Sequence, residues 1–280
     1  MSKRLAISLR ESHSRGLSRL ASSTRPPGPV PVSAAERAAW SERQERMLWW
    51  NALYKNGGDV FTLEGVSPTL QKWWPRVAGK RVEKGEKSDT TSVRRVLIPG
   101  VGRDVSAAWL ARQEGWGAVG VDFADAPLRA LGELQGGLTP IHEGRSSIQG
   151  SSRWAAYQAN DTRRLLLVHG DFLALGPDDY GGLFEAAWDR GALTSVPDRA
   201  SYALALARAL APGAVALLEL LCADVAVEGA VDEAEALAVL RSAGFKAERL
   251  EIRSVLTEYP DFRPPGLTKL DELVIIATKQ

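Results

Sequence analysis

Cysteine is almost missing from this chain. Cys222 is the only one in 280 residues, which excludes an intramolecular disulfide framework and a thiolate metal cluster. Histidine is scarce as well: His13, His142 and His169 are scattered and form no HExxH or paired-ligand spacing, so no metal is expected. An excess of either charge is also lacking. Lys and Arg number 35 against 34 Asp and Glu, a formal net charge of +1, whereas a surface that reads nucleic-acid phosphates leaves a basic surplus. No apolar run approaches the roughly 20 residues that span a bilayer. What remains is a chain expected to act as a monomer on a small-molecule partner, with neither nucleic acid nor membrane involved. At 45% hydrophobic it can bury one substantial core, which fits one large domain better than two small ones.

What the sequence does have is tryptophan. There are nine, and Trp40, Trp49, Trp50, Trp73 and Trp74 all precede residue 80. Aromatics at this density either pack a core or form an aromatic lid over a ligand. Residues 1–35 stand apart: Lys3, Arg4, Arg10, Arg15, Arg19 and Arg25 face one acid, Glu11, and Pro26, Pro27, Pro29 and Pro31 close the segment. An Arg/Ser-rich, acid-poor start reads either as an organellar transit peptide or as a plain disordered tail. The chain is accordingly expected in the cytoplasm, or in a plastid or mitochondrion if this segment is a targeting signal. A single catalytic domain is expected over residues 36–280.

From Ser33, which can cap with Glu36 three residues later, a helical pattern runs to Tyr54. A short helix is expected through Leu70–Trp74, and Lys80–Asp89 reads as a charged connector. Strands and helices then alternate. Strands are expected at Val93–Ile98, Ala118–Val121, Leu165–Val168, Phe184–Trp188, Ala214–Leu221, Lys246–Ile252 and Leu273–Thr278. Helices fall at Asp104–Gln113, Ala126–Leu134, Asp198–Leu210 and Asp232–Ser242. Gly136–Thr162 reads as an insertion loop with one short helix around Trp154. Alternation of this kind predicts an α/β, doubly wound, mostly parallel seven-stranded sheet of Rossmann-like type, closed by an antiparallel edge pair and covered by an N-terminal helical lid.

Four constellations sit at the carboxyl ends of those strands, where open α/β sheets bind ligands. Gly100 and Gly102, in Ile98-Pro99-Gly100-Val101-Gly102-Arg103-Asp104, let backbone approach a ligand. Asp122, 22 residues after Gly100, is placed to accept from both hydroxyls of a ribose, or else to cap the next helix, as Asp125 also can. The missing third glycine tilts the pair away from a dinucleotide. Asp171 and Phe172 either meet an adenine or make a turn and a core ring. Trp188-Asp189-Arg190-Gly191-Ala192-Leu193 offers a wall, an acceptor and a permanent cation, or an Asp–Arg ion pair that merely holds a loop.

The last block, followed by Pro197-Asp198-Arg199 and Tyr202-Ala203, resembles the thiopurine S-methyltransferase family. Residues 50–61, with Trp50, Tyr54, Asn56-Gly57 and Phe61, resemble its aromatic N-terminal motif, and the similarity extends over roughly residues 40–278. The resemblance implies a class I methyltransferase fold with S-adenosylmethionine as cofactor. It places Trp50, Tyr54, Gly100, Gly102, Asp122, Asp171, Phe172 and Arg190 at the cofactor. Phe61, Trp49 and Arg263 fall at the acceptor, and Arg190 and Asp189 at the chemistry. It further implies methyl transfer to a small soft nucleophile: a thiol, thiopurine, halide or thiocyanate.

The chain departs from the family's pattern on the acceptor side. Tyr54 replaces a frequent Trp, Cys222–Ala234 is short, acidic and proline-free, and Tyr259-Pro260 occupies the place of a late arginine, with Arg263 only nearby. Two other readings stay open: a cofactor-binding protein with a lost or altered acceptor pocket, and a nucleotide-dependent oxidoreductase on a similar fold.

Overall fold

A computed structural model describes residues 43–56, 62–79, 93–148, 152–225, 230–259 and 265–280. The expectations for residues 1–35, the helix start at Ser33, the Lys80–Asp89 connector, Phe61 and Arg263 lie outside the described residues. In chain order the elements are α1 (Arg43–Lys55), α2 (Pro68–Ala78), β1 (Arg94–Pro99), α3 (Ser106–Ala111), β2 (Trp116–Asp122), α4 (Asp125–Glu133), β3 (Leu138–Arg145), β4 (Arg153–Ala159) and β5 (Leu165–His169). They continue with β6 (Phe184–Arg190), α5 (Ala192–Ser195), α6 (Arg199–Ala209), β7 (Leu210–Ala223), α7 (Glu233–Ser242), β8 (Phe245–Ser254) and β9 (Leu270–Lys279).

Among the described residues, nine strands form one sheet in the order β3-β4-β5-β2-β1-β6-β7-β9-β8. The middle five are parallel, β9 runs antiparallel between β7 and β8, and β4 is antiparallel to β5. The order reverses at β1, so the tips of β1 and β6 diverge and open a crevice there. The expected antiparallel edge pair is β8 and β9.

The strand count corrects the expectation of seven. Residues 136–162 are not a loop with a short helix at Trp154. Leu138–Arg145 and Arg153–Ala159 within that stretch pair as the hairpin β3–β4, which extends the sheet beyond β5, and Trp154 lies within β4. β3 faces water along most of its length, so it carries no alternating apolar signal to betray a strand.

Period-two alternation divides the core into two layers. Leu97, Val121, Ala187 and Leu218 face one layer, shared with α6 and α7. Val96, Ile98, Ala118, Trp188 and Leu217 face the other, shared with α2, α3 and α4. The tryptophans split between the two readings: Trp74 packs edge-on to Trp116 at 4.9 Å inside the second layer, while Trp49 and Trp50 line a cleft. Helix α2 outlasts the expected Leu70–Trp74 segment and runs through Pro75 to Ala78. Leu70, Trp74 and Val77, all buried on one face, hold it together, each large apolar group contributing about 1.5–3 kcal/mol.

Candidate active site

The cleft has a volume of about 1090 Å³ and lies over the carboxyl ends of β1, β2, β5, β6 and β7, with α1 forming one wall. Its floor begins at the β1–α3 turn. Gly100 and Gly102 hold φ of +58° and +53°, left-handed geometry that only glycine adopts cheaply. A Cβ on Gly100 would meet the Ala192 Cβ at 3.0 Å, and one on Gly102 would lie 2.4 Å from the Tyr54 hydroxyl. Bare backbone is therefore required on both sides of the turn. Asp104 closes it, accepting from the Ser106 amide at 2.8 Å and from Trp188 Nε1 at 3.1 Å.

Asp122 stands at the tip of β2, buried, on the cleft wall. Its carboxylate accepts from the Gly102 amide at 2.9 Å and the Ala124 amide at 2.8 Å. Burial pushes its pKa up to about 6, with those backbone donors pulling the other way. A carboxylate has about four lone-pair sites, so two backbone bonds leave room for further donors. It does not cap α4 as the alternative reading had it, since Ala124 occupies that position. Phe123 and Phe172 present apolar walls nearby, and Asp171 also lines the cleft, its Oδ1 taking the Leu173 amide at 2.9 Å.

Helix α1 brings Trp49, Trp50 and Tyr54 to the same cleft. Trp49 meets Trp50 edge-on at 4.8 Å, and Trp50 lies 6.1 Å from Tyr54. The helix is pinned by Asn51, whose Oδ1 accepts from the Ala126 amide at 2.9 Å. Trp50 and Tyr54, at helical spacing i and i+4, share one face of the helix.

The β6 block separates into two roles. Arg190 lines the cleft and pairs with Glu219 of β7 at 2.8 Å. Burial works against its charge, but Glu219, Tyr259 and Asp104 more than offset that and hold its pKa above the ordinary value. Asp189 is wholly buried and is not among the residues lining the cleft. Its carboxylate accepts from the Ala192 and Leu193 amides, at 2.7 and 3.2 Å, and from the Tyr202 hydroxyl at 2.7 Å. Burial raises its pKa to about 6. Asp189 thus anchors the turn into α5 and α6 from beneath. It is neither positioned to take a proton from an acceptor nor paired with Arg190, and both expectations for it are corrected here.

Glu219 escaped the sequence reading. It also accepts from Ser67 Oγ at 2.6 Å, and Ser67 in turn caps α2 at the Leu70 amide. Beside it, Glu272 accepts from Thr69 Oγ1 at 2.8 Å and pairs with Arg253 at 2.9 Å. The signal was present: one acid inside an otherwise apolar strand is a buried charge that must find a partner.

Glycine backbone, a buried acid at the tip of β2, two phenylalanine faces and an aromatic wall make a donor set that fits a nucleoside joined to a cation. A model of the thiopurine S-methyltransferase family matches residues 46–280. The chain belongs to that family. It is 31% identical over 233 residues to the thiopurine S-methyltransferase of Pseudomonas fluorescens, covering 81% of this chain and 95% of that one. It is 29% identical over 232 residues to that of Bordetella parapertussis, with the same coverage. Among solved structures, it is similar to a Burkholderia thailandensis 1,6-didemethyltoxoflavin-N1-methyltransferase bound to 1,6-didemethyltoxoflavin and S-adenosylhomocysteine (TM-score 0.54, 18% identity, 90% and 92% of the two chains). A Haemonchus contortus phosphoethanolamine N-methyltransferase 2 in complex with S-adenosyl-L-methionine shares the fold too (TM-score 0.53, 12% identity, 87% and 59% covered). This thiopurine S-methyltransferase family member is therefore an S-adenosylmethionine-dependent methyltransferase of Rossmann-like fold, and the oxidoreductase reading falls away. No helix among the described residues is long and apolar enough to cross a membrane.

Proposed function

We propose that the enzyme methylates a small soft nucleophile: a thiol, thiopurine, halide or thiocyanate. One observation carries this reading. Among the described residues, each carboxylate on the cleft wall accepts at least one hydrogen bond from the chain itself. Asp104 holds the glycine turn, Asp122 takes two amides, Asp171 takes the Leu173 amide, and Asp198 takes the amide and hydroxyl of Ser201. Glu219 and Glu272 are held by Ser67, Arg190, Thr69 and Arg253. His169 turns Nε2 to the Phe123 carbonyl at 3.2 Å. Carboxylates given over to holding the chain's own donors suit an acceptor that needs no general base.

S-adenosylmethionine supplies an activated methyl on a sulfonium, open to in-line displacement. Gly100 and Gly102 would give it backbone clearance, Asp122 would accept from its ribose hydroxyls, and Asp171 and Phe172 would hold its adenine. Trp50 and Tyr54 would face the cation, an attraction worth about 0.5–2 kcal/mol per ring. Trp49 would lie on the acceptor side of that wall. The chain's main contribution is orientation, which can lower a barrier by about 7–11 kcal/mol.

The test is methyl transfer from labelled S-adenosylmethionine to thiols, thiopurines, iodide, thiocyanate and small sulfur-containing acids. Turnover is expected with at least one of these, and its pH inflection should shift with the acceptor's own pKa. Transfer only to hydroxyl or amine acceptors, or an inflection fixed by the protein, would overturn the reading. Tight cofactor binding with no turnover at all would favour a protein with an altered acceptor pocket.

A further inference from the structure

Helix α4 starts without a side-chain cap of its own. The first amides of a helix have no carbonyl within it to bond, and the residue at the α4 N-cap is Ala124, whose side chain accepts nothing. Asn51 supplies an acceptor from a different helix: its Oδ1 takes the Ala126 amide at 2.9 Å. Its Nδ2 donates to the Met47 carbonyl, one turn back in α1, at 3.0 Å, which keeps the oxygen turned toward α4. This bond closes a circuit. The Ala124 amide, just before α4, donates to Asp122 at 2.8 Å, and Asp122 also takes the Gly102 amide at 2.9 Å. Gly102 lies against the Tyr54 hydroxyl, which leads back to α1. The helix is thus tied to the acid at the tip of β2 through Asn51 and again through Tyr54, one turn further on.

We infer that Asn51 is a positioning residue: by capping α4 from α1, it sets Trp50 and Tyr54 at the distance from Asp122 where both rings face the sulfonium of S-adenosylmethionine. This rests on the preceding reading, which puts those rings at the cation, and adds the residue that holds them there. Asn51 is half-buried and is not among the residues lining the cleft, so it acts through its neighbours. Two attachments fix the roll and height of a helix, whereas one lets it pivot. Distance matters here because an aromatic face attracts a cation only within about 6 Å of its centroid. Loss of the Asn51 bond leaves Tyr54 against the glycine turn and frees the Trp50 end of the helix to swing out.

The experiment is calorimetric titration with S-adenosylmethionine and with S-adenosylhomocysteine, which differs in having an uncharged thioether. The ratio of the two affinities isolates what the rings contribute toward the charge. Asn51→Ala should lower the preference for S-adenosylmethionine by about two- to tenfold. Asn51→Gln, neutral and still an acceptor, should recover at least part of it. In a background that lacks both rings (Trp50→Ala with Tyr54→Ala), Asn51→Ala should leave the ratio unchanged, because residues acting as one unit are not additive. A merely structural role would weaken both ligands alike. An unchanged ratio in Asn51→Ala, or an equal drop with and without the rings, would overturn the inference. If Asn51→Ala does not fold, Asn51→Leu, which keeps the volume and lacks the acceptor, makes the same comparison. The ring variants separate the two claims. If removing the rings lowers the ratio and Asn51→Ala does not, the positioning role falls and the aromatic reading stands. If removing the rings leaves the ratio unchanged, the aromatic reading falls and takes the role of Asn51 with it.

Discussion

Asp122 and Asp189 are both buried carboxyls pushed up to about 6, one open to the cleft and one sealed beneath it. In the unfolded chain an aspartate titrates near 3.9. Between those values the folded protein holds more protons than the unfolded one, so stability falls as pH rises from about 4 to 6 and the loss is complete above 6. Each group contributes up to about 3 kcal/mol to that loss. Thermal melts of ligand-free protein at pH 5 and 7 should therefore show a smaller difference in Asp122→Asn than in the wild type. Ligand hydroxyls favour the ionised carboxylate, so S-adenosylhomocysteine affinity should fall as pH drops below 6, by up to about tenfold per unit. Asp122→Ala should cost about 1.5–3 kcal/mol of that affinity at neutral pH. A pH-independent affinity, or full binding by Asp122→Ala, would remove the ribose assignment.

Helix α1 is the element that turns an open crevice into a walled cleft. Trp50→Ala should weaken S-adenosylmethionine binding by about 0.5–2 kcal/mol, the worth of one aromatic face toward its sulfonium cation; calorimetry that finds no change would deny the wall its part. At this scale the sequence was readable wherever burial imposed a rhythm. The parallel strands, the glycine turn and the acid at the tip of β2 were all legible because each packs or binds through a fixed spacing. The β3–β4 hairpin was not, because Pro140, Gly144 and the solvent-facing residues between them remove the alternation that marks a strand. Asp189 was misread for a related reason. Sequence adjacency put it beside Arg190, but consecutive residues of a strand point to opposite faces. One meets the cleft and the other meets Tyr202. Glu219 was missed because its partners, Ser67 and Arg190, lie 152 and 29 residues away along the chain.

Across the whole molecule, the hairpin does more than widen the sheet. Trp154 of β4 packs into the main core layer, its ring against Gly144 of β3 and its Cβ beside Gly170, which leads directly into Asp171 and Phe172. Trp154→Ala should cost about 3–5 kcal/mol of stability, the range for deleting a buried aromatic, as read by denaturant unfolding. A variant with wild-type stability would show the hairpin to be an ornament of the edge.

The meeting of Tyr54 with Gly102 sets how closely the aromatic helix can seat against the glycine turn. Helix and turn touch across a seam less than one methyl group wide, hydroxyl against main chain. On the turn side no side chain can be added without pushing the helix away, so the fit between the two can be adjusted only from the helix, by trimming or enlarging the residue at position 54.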